Sequence, residues 1–336
     1  MTTATDRFGI VPDDDRLHEL PGVPGWSENL QLVVHDSVAG VAFYVHLSRM
    51  VDDPGIWEGI LITYLPGGQL RVSRSFARDR GTGTASDGQL SFGPVEPLRR
   101  WRLDFDGMAR ILSREEAAAG PVTQGPVEPL RLALDVVGVT PPWGVGSDQR
   151  GGHAADAMHG QSWARVHVEQ ACQVTGDLLL ADGAIHVDCM GMRDHSCGPR
   201  NYTGMRREAW VNAVFPSGRA FCGLWVEMEG VPPFSHGFVW SDGELHAMAS
   251  LEAPLLTSAL GDPTSFTVRF TSPAGAAEVE GRMTHSMAFT LENPCRMPLG
   301  PRPTGAIPVE GPARYRWDGE DGDGWVERIY YREDMT

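Results

Sequence analysis

The decapeptide GMRDHSCGPR, residues 191–200, gathers a carboxyl, an imidazole, two guanidiniums, a hydroxyl and a thiol. An acid with an imidazole beside it is suited to general acid/base catalysis, the imidazole setting the protonation of the acid. On that reading Asp194 is the acid and His195 its neighbour. The same residues also allow a structural role, in which Asp194 pairs with Arg193 and Arg200 and His195 is a hydrogen-bonded orienter. The segment follows the strand-like AIHVDCM and precedes RREAWVNAVF. Its glycines and Pro199 predict a loop between strands, where functional groups concentrate.

A second acid lies upstream. In ARVHVEQA, alternation puts Arg165, His167, Glu169 and Ala171 on one face and Val166, Val168 and Gln170 on the other. If the valines pack in a core, the polar face is surface; if the strand lines a barrel lumen, His167 and Glu169 look inward. Other motifs carry less. DGEDGDGWVE (318–327) has Ile329 where a calcium loop starting at Asp318 needs Glu, so it reads as a solvated hairpin. His153 and His159 have no carboxylate or Cys beside them in a ligand pattern, and Ser196 lacks a nucleophile-elbow context. No metal and no cofactor are expected.

The elements that must position these groups are strands. Short runs rich in Val, Ile, Leu, Phe, Tyr and Trp recur at a period near two between Gly, Pro, Asp and Ser, as in LQLVVHD, VAFYVHLS, WEGILITYL and AFCGLWVEME. Only SREEAAAG (113–120) reads as a helical turn or two, and PGG and SDG read as hairpin turns. The heptapeptide GPVEPLR, at 93–99 and 125–131, is a repeated strand-entry element. Residues 139–163 are Gly- and Pro-rich without alternation and read as a connection. The expectation is an all-β chain of two β units, 1–150 and 151–336.

Composition bounds the partners. The net charge of −16, from 44 acidic and 28 basic residues in 336, disfavours nucleic acid and anionic membrane surfaces. Five cysteines (Cys172, Cys189, Cys197, Cys222, Cys295) without a C-x-x-C pair predict reduced thiols. No basic segment leads into an apolar run at the N-terminus, and no 18 apolar residues are contiguous. A cytoplasmic protein without stable membrane insertion is expected.

The stretch HVEQACQVTGDLLLADGAIHVDCMGMRDHSCGPRNY resembles the signature of the AttH and hydroxyneurosporene synthase (carotenoid hydratase)-like family of lipocalin-related proteins. There, a strand carrying E-Q and a V-T-G turn lead through a D-G turn to G-x-R-D-H-S-W-G-x-R. GVAFYVHLSRMVDDPGIWEGILITYLPGG and the closing DGEDGDGWVERIYY resemble the same group. The resemblance implies two tandem lipocalin-like β-barrel or sandwich domains, the RDHS motif in the second, and a hydrophobic pocket. It also implies a cofactor-free hydratase or dehydratase acting on a carbon–carbon double bond of an isoprenoid- or steroid-like substrate. Asp194 would be the acid and His195 its orienter or the activator of water, with Glu169 a further acid/base. Arg193, Arg200, Tyr202, Trp210, Trp225 and Trp240 would contact substrate or stabilise a cation. Opposite charge from the arginines lowers a carboxyl pKa; if that wins, Glu169 or His195 becomes the acid. An isomerase or pericyclase and a non-catalytic carrier are the alternatives. Cys197 stands where the family has Trp, which removes an aromatic surface and an N–H donor.

Overall fold

The computed structural model describes residues 9–119, 125–147, 165–199, 204–230, 232–288 and 306–331. A first sheet contains β1 (Trp26–Asp36), β2 (Val41–Arg49), β3 (Ile56–Leu65), β4 (Gln69–Arg78), β5 (Ala85–Ser86), β6 (Leu90–Glu96), β7 (Arg100–Ser113), β8 (Val127–Gly138), β9 (Trp143–Val145), β10 (Val166–Leu180) and β11 (Gly183–Pro199). The helix α1 (Arg114–Ala119) falls inside SREEAAAG. A second sheet contains β12 (Met205–Val214), β13 (Ala220–Met228), β14 (Phe234–Ser241), β15 (Glu244–Ala247), β16 (Ser250–Glu252), β17 (Ser265–Ser272), β18 (Gly275–Met283), β19 (Met287–Ala288), β20 (Ala306–Trp317) and β21 (Glu320–Tyr331).

Pairing in the first sheet runs β4-β3-β2-β1-β11-β10-β8-β7, and β7 pairs back onto β4. These strands therefore close an antiparallel barrel, which removes the exposed edges of an open sheet. The second sheet runs β15-β14-β13-β12-β21-β20-β18-β17-β16. It curls: Met248 N donates to Gly237 O of β14 at 2.8 Å and Ala249 N to Thr271 O of β17 at 2.7 Å. This is the all-β, lipocalin-like, two-sheet architecture that the alternation and the resemblance imply.

The sheets divide the chain differently from the expected 1–150 and 151–336. Strands β10 and β11 belong to the first barrel, and the change of sheet falls between Pro199 and Met205. The decapeptide also differs from expectation, because residues 191–199 are the end of a 17-residue strand and not a loop. Its charges find partners in the fold, and Gly191 is required by packing: a Cβ there would sit 2.7 Å from Val33 O. PGG and SDG are the expected turns between β3 and β4 and between β5 and β6. The acidic 318–327 stretch is a hairpin, with Asp318 and Gly319 both at positive φ (49° and 83°) as a tight primed turn requires.

Strand β2 is buried at every position. One face, with Phe43, Val45 and Leu47, fills the barrel, and the other, with Ala42 and Tyr44, packs against the second sheet. Each fully buried side chain of this kind stabilises the fold by about 1.5–3 kcal/mol. Three cores result: the barrel interior, the hollow of the second sheet around Phe221, Phe270 and Tyr315, and a layer between the sheets. That middle layer joins Tyr44, Ile60, Ile62 and Tyr64 to Trp210, Leu224, Phe238 and Trp325. Tyr64 Oη also donates to Glu310 O across it at 3.1 Å. Among the described residues, no helix is long and apolar enough to cross a membrane.

Candidate functional site

Antiparallel register puts Glu169 directly opposite Asp194, and His167 opposite Ser196. Residues directly opposite share a face, so these four side chains point the same way. They face outward from the barrel, into the layer beneath the second sheet, so neither the lumen nor the open surface is their environment. His167 Nε2 lies 2.5 Å from Asp194 Oδ2 and 3.8 Å from Glu169 Oε1. Ser196 Oγ donates to Asp194 Oδ1 at 3.3 Å. From the second sheet, Trp210 Nε1 donates to Glu169 Oε1 at 2.7 Å.

Glu169 is 1% exposed, and its Oε2 has no hydrogen-bond partner among the described residues. Burial pushes its carboxyl above the ordinary range. His167 pulls it down, the Asp194 charge raises it again, and hydrogen bonds from Trp210 and Cys222 oppose the rise without cancelling it. Glu169 is thus the carboxyl here that the fold biases toward the neutral acid. Asp194, whose side chain is 14% exposed, lies nearer solvent and holds the imidazole.

Two residues that sequence reasoning missed complete the enclosure. The His236 ring lies 4.4 Å from that of Trp143 and 5.5 Å from that of His167. Both His236 nitrogens are buried without a hydrogen-bond partner among the described residues. Burial, and then the neighbouring His167, hold its pKa well below the ordinary value, so the ring is neutral. Trp143 reaches the site because β9 lies close on β10, where a Cβ on Gly144 would sit 1.8 Å from His167 O. No sequence signal joins β9 and β14 to the decapeptide; period two does join His167 to Glu169.

The other face of β10 and β11 looks into the barrel and carries a separate polar cluster. Arg193 Nη1 donates to Asp15 Oδ1 at 2.8 Å, its Nη2 donates to Gln170 Oε1 at 3.0 Å, and its guanidinium lies 3.9 Å from the Trp101 ring centroid. His195 Nε2 lies 3.2 Å from Glu28 Oε1, and His18 Nδ1 lies 2.7 Å from the same oxygen. Burial alone would raise Glu28, but hydrogen bonds from His18 and His195 hold its pKa down at about 2. Burial alone would lower His195, but Asp15 and Glu28 lift its pKa to about 9.

The expected site residues therefore separate. Asp194 and Glu169 come together, while His195 points to the opposite face and His167 takes the place expected of it beside Asp194. Arg193 pairs with Asp15 inside the barrel, so the arginine expected to lower Asp194 is directed elsewhere. Trp210 touches Glu169, and Trp240 packs against the layer between the sheets. Trp225 instead packs against the core in the hollow of the second sheet. Arg200, Tyr202, His153, His159 and Cys295 lie outside the described residues.

The fold has solved counterparts. The crystal structure of a protein described as an AttH, from Nitrosomonas europaea, superposes with a TM-score of 0.62 at 14% identity, covering 91% of this chain and 92% of that one. A structure of CghA superposes at 0.53 with 12% identity, covering 91% of this chain and 88% of that one. At these identities the likeness shows an AttH-like fold. No curated protein sequence matches the chain. Residues 11–329 match a family described as a domain of unknown function, DUF7064, and the chain belongs to that family.

Proposed function

We propose that the chain is a lyase of the carotenoid hydratase type, needing no cofactor, that adds water to or removes it from a carbon–carbon double bond of a hydrophobic isoprenoid- or steroid-like substrate. One observation carries this reading: a buried carboxyl biased toward its neutral form, Glu169, sits directly opposite Asp194 on the paired strand, with His167, on its own strand, bridging toward both. Protonating an alkene requires an acid that keeps its proton near neutral pH, and adding water requires a base beside it.

In the hydration direction Glu169 gives its proton to one alkene carbon, and the electron pair of the double bond forms the new C–H bond. The other carbon becomes cationic and is faced by the Trp210 ring. A water at the more exposed Asp194 attacks that carbon and loses a proton to the Asp194–His167 pair. His167, 3.8 Å from Glu169 Oε1, returns the proton to Glu169. Dehydration runs the same steps backward. The acid is thus Glu169 and not Asp194, and His167 takes the role expected of His195.

The test is mass spectrometry of products formed from isoprenoid, steroid and polyene substrates in water labelled with heavy oxygen. A product carrying one labelled oxygen, lost in Glu169→Gln and in Asp194→Asn, supports the reading. A product of unchanged mass but altered retention makes the chain an isomerase or cyclase, and unchanged ligand recovered with the protein makes it a carrier.

A further inference from the structure

The strand register that sets Glu169 opposite Asp194 continues across the barrel. His167 is directly opposite Ser196, Ser196 opposite Asn29, Asn29 opposite Ser48, and Ser48 opposite Glu58. Directly opposed residues share a face, so these five side chains form one polar row over β10, β11, β1, β2 and β3. The row lies on the outward face, at one end of the layer between the sheets. All five are buried, from 0% exposure at Glu58 and Ser48 to 6% at Ser196 and His167. Four residues along each strand the corresponding row is Ile62, Tyr44, Val33, Met192 and Ala171, all of them part of the apolar core of the same layer.

At the end far from Glu169 this row keeps unused hydrogen-bonding capacity. Arg74 Nε donates to Glu58 Oε1, while Glu58 Oε2 and the Ser48 Oγ on the opposed residue are buried without a hydrogen-bond partner among the described residues. A buried polar atom in that state costs about 1–3 kcal/mol, which a bound group recovers. A carboxyl oxygen beside a hydroxyl suits a ligand hydroxyl, which donates to the first and accepts from the second. Burial raises the Glu58 carboxyl to about 7, against the pull of Arg74 and with the Asp87 charge adding to the rise; a hydroxyl can pair with either protonation state. The layer is not sealed here. Gln31 and Asp194, opposed in the neighbouring row, keep partial exposure. Phe76, opposite Glu58 on β4, is 38% exposed, and the Arg74 guanidinium lies 5.5 Å from its ring.

We propose that Glu58 and Ser48 recognise a hydroxyl group of the substrate, remote from the double bond that Glu169 protonates, so that the substrate is a hydroxylated isoprenoid- or steroid-like molecule and not a hydrocarbon. The proposal rests on the lyase reading for the identity of the reacting end. Strands β3 and β10 are four strand spacings apart, about 19 Å along the curved sheet, which matches an extended diterpene alcohol. A hydrocarbon or an ether in that position leaves the Glu58 and Ser48 oxygens unpaired or only half satisfied, whereas an alcohol satisfies both. Glu58 and Ser48 touch no reacting atom; they set which molecules bind and which way round they lie along the layer.

The test is binding of geranylgeraniol and of its methyl ether to the full chain, followed by quenching of tryptophan fluorescence. The ether keeps the length and the apolar body but cannot donate a hydrogen bond. The wild type should bind the alcohol at least about tenfold more tightly than the ether. Ser48→Ala should cut that preference several-fold and Glu58→Met should abolish it, with affinity for the ether retained in both. Glu58→Met leaves Arg74, whose side chain is 20% exposed, without its carboxylate; circular dichroism checks its folding, and Ser48→Ala carries the test if it does not fold. Binding of neither molecule, equal affinity for the two, or a preference that survives in folded Ser48→Ala would overturn the proposal and leave Glu58 and Ser48 holding a buried water only. Because the readout is binding and not turnover, this proposal can fail while the labelled product appears, and stand while that product is absent.

Discussion

Replacing Asp15 with Asn tests the assignment of Arg193 to the barrel frame and not to substrate. Asp15 is 1% exposed and ends the 3-10 turn Pro12–Asp15. Its Oδ1 takes the Arg193 salt bridge, and its Oδ2 accepts from Leu98 N at 2.5 Å and Trp101 Nε1 at 2.9 Å. The amide keeps the shape but removes the charge facing a guanidinium that is itself 2% exposed. Gln170 Oε1 and the Trp101 ring remain as partners but supply no counter-charge. Breaking one side of such a buried pair costs about 3–5 kcal/mol. Asp15→Asn should therefore lose that much in a urea unfolding series at pH 7, read as a lower midpoint at unchanged slope. Arg193→Met should lose a similar amount, and the double variant should recover at least about 2 kcal/mol of the summed loss, because neither charge is then stranded. A loss below about 1 kcal/mol for Asp15→Asn, or simple additivity in the double variant, would refute the reasoning.

The other predictions concern the layer between the sheets. Trp210→Phe removes the donor to Glu169 and strands a buried oxygen, so it should cost about 1–3 kcal/mol, whereas in a Glu169→Met background, which has no acceptor to strand, the cost should be smaller by double-mutant cycle. The Glu169 carboxyl is raised above its ordinary value of 4.5, so the folded state holds its proton longer than the unfolded chain. Its contribution is therefore fully present below pH 4.5 and declines as pH rises toward the folded pKa; Glu169→Gln should flatten that decline in a pH series of melting temperatures. If an active substrate is found, Asp194→Asn should remove turnover by the folded fraction. His195→Gln should lower stability and leave turnover by the folded fraction near wild type, because adjacent residues of a strand serve opposite faces. Equal loss of turnover in both would contradict that separation.

The period-two pattern was enough to specify an all-β chain, because nearly every buried strand alternates or runs continuously apolar. It did not specify which face looks where, since β2 is buried on both faces and its sequence carries no contrast between inside and outside. The decapeptide read as a loop because Gly191, Pro199 and four charged or titratable side chains are rare within a strand. The fold accommodates them through partners distant in sequence: Asp15 for Arg193, Glu28 for His195, His167 for Asp194. Once 191–199 is known to be a strand, the separation of Asp194 from His195 follows from alternation alone. His236, Trp143 and His18 could not be read out, because they reach these groups through sheet packing or close strand approach that local pattern does not encode.

A lyase of this kind requires the Glu169 carboxyl to stay neutral between the two sheets for use as a proton donor; burial also raises the carboxyls of Glu58 and Glu310. Infrared difference spectroscopy of the wild type against Glu169→Gln at pH 7 tests it without a substrate. The difference spectrum should contain a protonated-carboxyl stretching band that shifts in heavy water and that Glu169→Gln removes. A difference spectrum in which Glu169→Gln removes only carboxylate bands at that pH would contradict it.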